Sequence, residues 1–349
     1  MVLPSNPLVS VVMAVYDERP HLEQAVESIL NQTFEDFEFI IINDGSTDGS
    51  KDILDKFAGQ DERIRVVHQE NRGLIKSLNR GVDMARGQYI ARMDGDDISY
   101  PERLEYQVQF LHRHSNVGVV GTNVEKIDAE GRFKGSWSPP TEPEIVSWKL
   151  LFNTCLCHPS VVIRQSLLEA LGGYAEWAKH AEDYELWTRA VQVSQLSNIP
   201  DTLLKLRRHD GSVTVSKRTE QIRLCEKVAG NLHRVLLREK ARKWISEFLV
   251  WMEVEGVDRA AAETSIQDLA CVHEYLRAIY EACVRRLLPK TGSIRVRQHA
   301  LVKLDQIAAR IAKREGWVEG MRHKVRARGM APVREIFPWA LQAVGRRLS

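Results

Sequence analysis

At 349 residues the chain is long enough for about two domains, with a core that needs no disulfide or metal to hold it. Hydrophobic residues at 44%, charged residues at 28% and a net charge of +2 exclude a disordered or collagen-like chain. Five scattered cysteines, an odd number, exclude a disulfide framework and point to a reducing compartment.

The first residues lack the basic region and small-residue cleavage site of a signal peptide, and no run of about 18 apolar residues occurs. A cytoplasmic protein is therefore expected. Val9 to Val15 reads as a buried strand, short and almost wholly apolar. Pro20 opens a helix through Leu22, Ala25, Val26, Ile29 and Leu30. Phe37 to Ile42 is the next strand and runs into the turn Asn43-Asp44-Gly45-Ser46, where Ser46 or Thr47 is expected to cap the following helix, which carries Ile53, Leu54 and Phe57. A strand at Ile64 to His68, a helix from Leu74 to Ala85, and a strand from Tyr89 to Met93 follow. This rhythm predicts an α/β layered fold with a mostly parallel sheet, whose ligands gather beyond the carboxyl ends of the strands. Asp17, Asp44 and the run Asp94-Gly95-Asp96-Asp97 all fall at such ends.

After Asp97 the pattern changes. Val117 to Val124 and Ser160 to Ile163 read as strands, with Pro139, Pro140 and Pro143 marking a loop between them. Beyond about residue 215 strand signals vanish. Ile222, Cys225, Val228, Ala229, Leu232, Val235 and Leu236 form one helical stripe, and Ile266, Leu269, Val272, Leu276, Ile279 and Cys283 another. Trp244, Phe248 and Trp251 read as helix core. The expected division is residues 1–215 as the α/β domain and 216–349 as a helical C-terminal region.

Three carboxylates within four residues repel one another, at about 4 kcal/mol for a pair 4 Å apart with an effective dielectric of 20. A divalent cation with oxygen ligands, Mg²⁺ or Mn²⁺, removes that cost. Taken by itself the run reads equally as an exposed Asp-Gly turn. Asp44 is a candidate for pairing with a flat ligand edge, with Gly45 allowing close backbone approach; an Asx-turn is the alternative. Asp183 by itself reads as a first-turn acid of the helix Tyr184 to Val191. His158 is a candidate acceptor-site residue or a core histidine, Trp137 and Trp177 are candidate sugar platforms or core, and Cys155 and Cys157 read as buried thiols.

Val9 to Glu18, Asn43 to Asp48, Asn71-Arg72-Gly73 with Asn79, and Asp94-Gly95-Asp96-Asp97 together resemble the family 2 glycosyltransferases of the GT-A fold, a Rossmann-like nucleotide-sugar domain. Ala181 to Trp187 is similar to that family's Glu-Asp catalytic motif, and Leu206 to Thr214 to its closing Arg-x-His-x-x-Ser segment. The resemblance covers about residues 8–215. It implies an inverting transfer of sugar from a nucleotide-sugar, in first place a UDP-sugar, to a hydroxyl, with a glycan or lipid-linked acceptor. It implies that Ala14, Tyr16 and Glu18 line the base pocket and that Asp44 pairs with the uracil ring. Asp94 would reach ribose or sugar, and Asp96, with His209, would hold Mn²⁺ or Mg²⁺ at the diphosphate. Arg92 would touch phosphate or sugar hydroxyls; Asp183 would be the general base with Glu182 beside it; His158 and Trp177 would face the acceptor. Asp17 stands where the family often has Asn.

A sugar-nucleotidyltransferase is the alternative enzyme, but Tyr16-Asp17-Glu18-Arg19-Pro20 is not a Gly-rich phosphate loop. A dehydrogenase would want a G-x-G-x-x-G that no strand precedes. A GT-A-like binding protein without turnover would not need the acidic run together with Glu182-Asp183. From Arg285 to Ser349 there are 16 Lys and Arg against 4 Asp and Glu, a local +12 that leaves the first 284 residues at −10. Trp339, Leu341, Val344 and Leu348 lie between basic residues there, a pattern that suits a peripheral anchor on an anionic membrane face. No stacking or groove-reading motif accompanies the basic residues, so no nucleic acid partner is expected.

Overall fold

The computed structural model describes residues 6–208, 217–255 and 266–288, together with 296 and 298. The C-terminal anchor segment, His209 and the rest of the closing motif after Arg208 lie outside the described residues. In chain order the elements are β1 Val9–Val15, α1 Arg19–Leu30, β2 Phe37–Asn43, α2 Ser50–Ala58, β3 Ile64–His68, α3 Leu74–Met84, β4 Tyr89–Asp94, β5 Ile98–Ser99 and α4 Arg103–Arg113. Then come β6 Val117–Ile127, β7 Phe133–Trp137, α5 Pro143–Lys149, β8 Val162–Arg164, α6 Gln165–Ala170, α7 Glu182–Ala190 and β9 Gln195–Arg207. Helices α8 Arg218–Leu237, α9 Lys243–Glu255 and α10 Ile266–Arg286 follow. Up to Val146 and from Thr154 to Val228 the described residues make one compact unit, and Ser147–Asn153 with those from Ala229 onward make a second.

The first unit is built on one sheet in the order β3-β2-β1-β4-β8-β6-β9-β5, with β7 beside β6. Strands β3, β2, β1 and β4 are parallel, joined by α1, α2 and α3 as crossovers. All seven residues of β2 are buried, as a parallel strand covered on both faces requires. The register sets Val15 beside Asn43, Asn43 beside His68 and Ala14 beside Asp94, so four strands deliver their carboxyl ends to one edge. β8 runs antiparallel to β4, which places the chain just before it, His158 included, at that same edge. β6 and β9 are parallel to each other, with Ile127 beside Arg207. β9 contains Pro200 and Asp201 and no clean alternation, so its sequence does not announce a strand; its pairing with β6 decides it.

In the second unit Trp148 packs edge-on to Phe152 and Tyr280, and His233 is buried between Ser246 Oγ, at 2.7 Å, and the Leu151 carbonyl, at 2.8 Å. Leu232, Leu236, Phe248, Val272, Leu276, Ile279 and Cys283 are buried, as predicted, and so is Leu249. Trp244 and Val235 are exposed instead, on the solvent sides of α9 and α8.

Candidate active site

β4 ends in the acidic turn. Asp94, Asp96 and Asp97 each offer an oxygen within 4.8 Å of the others. Asp97 is buried; its Oδ1 accepts the Arg207 N–H at 2.8 Å, while its Oδ2 has no hydrogen-bond donor among the described residues. Burial, with Asp96 and Asp94 beside it, pushes its carboxyl well above the usual range. Arg207 secures the turn from behind: Nε donates to the Asp96 carbonyl at 2.7 Å, Nη1 to the Asp128 and Ala129 carbonyls, and Nη2 to Gln24 Oε1 at 3.0 Å. The sequence suggests no such role for Arg207. It follows from β9 ending level with the turn.

Glu18 sits over this turn. A Cβ on Gly95 would lie 3.3 Å from Glu18 Cγ, and burial together with Asp96, Asp94, Asp48 and Asp17 pushes the Glu18 carboxyl up to about 8. The donor set is therefore all oxygen, mutually repelling, with one buried oxygen lacking a donor. That fits a hard divalent cation of the Mg²⁺ or Mn²⁺ kind. Arg92 differs from the expectation of a group open to phosphate. It lies two residues before Asp94 on the same face of β4, pairs with the Asp94 carboxylate, and is only 4% exposed, beneath the site rather than open to an incoming phosphate.

On the other side of β1, Asp44 is buried and its carboxylate accepts three hydrogen bonds from its own chain: Gln69 Nε2 at 2.6 Å, Arg72 N–H at 2.8 Å and Gly73 N–H at 2.8 Å. Asp44 thus folds the 69–73 loop onto the strand ends, which leaves about one of a carboxylate's four acceptor positions. Gly45, at φ +82°, is where that loop passes closest: a Cβ would lie 2.7 Å from the Asn71 nitrogen. Gly45→Ala is expected to cost about 1–3 kcal/mol, read as a lower melting temperature, because both the left-handed backbone and the contact oppose it. Neither Ser46 nor Thr47 caps α2. Ser46 Oγ accepts the Asp17 N–H, Thr47 N–H donates to Asp17 Oδ1 at 2.7 Å, and Asp48 holds Ser50 N–H and Oγ at the helix start. Asp17 itself has φ +54°, a conformation that Asn and Asp tolerate best, which accounts for either residue there. Tyr16, 51% exposed, and the half-buried Ala14 complete this rim.

The opposite wall is the start of α7. Glu182 Oε2 accepts the His180 N–H at 2.7 Å, and His180 takes φ +76° to allow it. Burial, then the neighbouring Asp183 charge, pushes Glu182 up to about 7; burial pushes Asp183 up to about 6, against the pull of backbone N–H groups and of Arg92. Asp183 feels Asp94 as well, and the buried Cys157 thiol feels Asp97, Asp94 and Asp183 together. The acidic turn and the α7 acids therefore share one locality.

His158 faces inward. Its Nε2 lies 2.9 Å from the Tyr174 hydroxyl, its ring meets Trp187 edge-on at 6.1 Å, and burial holds its pKa well below the usual value. It is a core histidine that shapes this wall rather than one open to an acceptor. Asn79 fixes Tyr174 through two backbone hydrogen bonds, at 2.8 and 2.9 Å. Trp177 is 40% exposed, and one face of its ring carries Lys227 Nζ at 4.4 Å from the centroid. Trp137 packs at the edge of the sheet core, and Cys155 and Cys157 are buried free thiols, as read.

The family description "Glycosyl transferase family 2" matches residues 10–172. EpsE of Bacillus subtilis strain 168, a protein named as a glycosyltransferase, is 36% identical over 208 residues, which are 58% of this chain and 74% of EpsE. The chain belongs to glycosyltransferase family 2. An uncharacterized glycosyltransferase of Haemophilus influenzae is 31% identical over 232 residues, 64% of this chain and 72% of its own. Among solved structures, residues 1–349 of Staphylococcus aureus TarS in complex with UDP-GlcNAc align with a TM-score of 0.57 at 16% identity, covering 92% of this chain and 91% of that one. The mannosyltransferase PcManGT of Pyrobaculum calidifontis, in complex with GDP-Man and Mn²⁺, aligns with a TM-score of 0.51 at 16% identity, covering 92% and 88%. At that identity they establish the fold alone, which is the α/β GT-A fold expected from the sequence. This family 2 glycosyltransferase is thus an enzyme of sugar transfer.

Proposed function

We propose that this glycosyltransferase is inverting and metal-dependent, moving a sugar from a nucleotide-sugar, in first place a UDP-sugar, to a hydroxyl of a glycan or lipid-linked acceptor. One observation carries the reading: acids from two distant parts of the chain, the 94–97 turn and the start of α7, come within electrostatic reach of each other, one group clustered for a cation and the other raised toward neutrality. The nucleotide-sugars in the TarS and PcManGT structures support the donor class.

Asp96, with Asp94 and Asp97 beside it, would hold Mg²⁺ or Mn²⁺, and His209 would add to that set. When bound, the cation supplies positive charge to the diphosphate that departs. Tyr16 offers an exposed ring to a nucleobase at the end of β1, and the remaining acceptor position of Asp44 suits a ring N–H. Asp183 takes the proton of the acceptor hydroxyl as it attacks the anomeric carbon from the side opposite the leaving group. Its pKa of about 6 leaves it ionised at neutral pH yet basic enough to matter. The ring face of Trp177 away from Lys227 and the wall braced by His158 would seat the acceptor. Assaying a panel of nucleotide-sugars for donor hydrolysis and transfer, with Mn²⁺ and with a chelator, tests this; turnover unchanged by chelation would refute the metal assignment.

No described helix is long and apolar enough to cross a membrane. The basic, aromatic C-terminal segment supports peripheral association with an anionic inner membrane face. Deleting residues 332–349 is expected to reduce co-sedimentation with anionic liposomes; equal sedimentation would refute the anchor.

A further inference from the structure

Arg92 is buried rather than open to a phosphate, and its surroundings give it a different task. Its backbone is pinned in the sheet: Arg92 N–H donates to the Val161 carbonyl at 3.0 Å, and the buried Arg103 Nη1 donates both to the Arg92 carbonyl, at 3.1 Å, and to the Pro159 carbonyl, at 2.6 Å. The side chain is buried, pairs with Asp94, and its Nε has no acceptor among the described residues. The short helical turn His158–Ser160 lies against β4, and His158 in turn meets Trp187 on α7. Trp187 is one turn on from Asp183, at i+4, so it shares Asp183's helix face. The face of α7 that carries the base is thereby turned toward the segment packed on Arg92.

We propose that Arg92 is a positioning residue, a buried counter-charge shared by the acidic turn and the start of α7, which holds Asp94 by a salt bridge and supplies positive charge to Asp183 and Glu182. The proposal rests on the reading of Asp183 as base. Among the described residues, the groups that act on Asp183 are Glu182 on its own helix, Arg92 and Asp94 on β4, Tyr174 and Cys157 on the intervening segments, and Cys225 on α8. Burial keeps Tyr174, Cys157 and Cys225 protonated throughout the working range, the last pushed up to about 12. Between pH 5 and 9 the charges on Asp183 come, among these, from Glu182, Asp94 and Arg92. Among the described side chains only Arg92 is positive there.

The experiment is the pH profile of kcat/KM for wild type, Arg92→Lys and Arg92→Met, with thermal melts of each. Loss of the positive charge disfavours the ionised base, so Arg92→Met is expected to move the acidic limb upward by about one pH unit, while Arg92→Lys leaves it within a few tenths of wild type. Where Arg92→Met does not fold, Arg92→Gln, which keeps a polar side chain beside Asp94, removes the same charge, and the same upward shift is expected. A folded variant with the wild-type limb overturns the proposal. So does failure of both to fold, because the guanidinium would then be holding the fold rather than the base. The proposal fails separately from the reading beneath it: if Asp183→Asn removes the limb while Arg92→Met leaves it in place, only the role of Arg92 falls.

Discussion

Asp183→Asn is expected to lower kcat by roughly 10²–10⁴-fold, the usual contribution of a positioned general base and equivalent to about 3–5 kcal/mol of barrier. The donor KM should change by no more than a few fold, because Asp183 lies on the α7 wall and not in the acidic turn. The amide keeps the shape and the first-turn hydrogen bonding of α7, so a folding defect is not the expected cause of the loss. The pH dependence follows from the same groups. Burial raises both acids, Asp183 to about 6 and Glu182 to about 7, and each is useful to the attacking hydroxyl only when ionised. Activity should therefore fall as pH drops through about 7 to 6 and level off above, with apparent values belonging to the pair rather than to either residue. Measured kcat over pH 5–9 for both proteins checks this. Transfer at the normal rate by Asp183→Asn would remove it from the mechanism.

Asp96→Ala is expected to act at the other end of the reaction. Removing a ligand oxygen from a cluster held within 4.8 Å should weaken Mn²⁺-dependent nucleotide binding and lower kcat/KM by roughly 10²–10³-fold. Binding of nucleotide without Mn²⁺ should be nearly the same in variant and wild type. That difference separates loss of the cation from general damage, and isothermal titration with and without Mn²⁺ reads it directly. The variant should also fold, since Arg207 Nε holds the turn through the Asp96 carbonyl, which Ala keeps, and the buried partner of the Arg207 N–H is Asp97. Equal Mn²⁺-dependent affinity in the two proteins would refute Asp96 as a ligand.

The sequence by itself determined the parts of this enzyme whose signal is local. Short, β-branched apolar runs such as Val9 to Val15 and Phe37 to Ile42 read as buried strands, and strand-helix alternation then directs Asp44 and Asp94 to one edge of a parallel sheet. Side-chain identity also fixed which acids could serve as ligands or base. Tertiary structure decided where the polar groups point. Asp44, at a strand end as predicted, spends three hydrogen bonds on the 69–73 loop; His158 turns inward to Tyr174; Glu18 lies over Gly95; Arg92 is buried beneath Asp94. None of these is legible from neighbours in sequence. A buried polar group takes whichever partner the fold brings within reach, because leaving it unpaired costs more than any local preference supplies. Arg207 shows the same logic at the longest range, for it closes on a turn 110 residues earlier only because β9 lies beside β6 and β5.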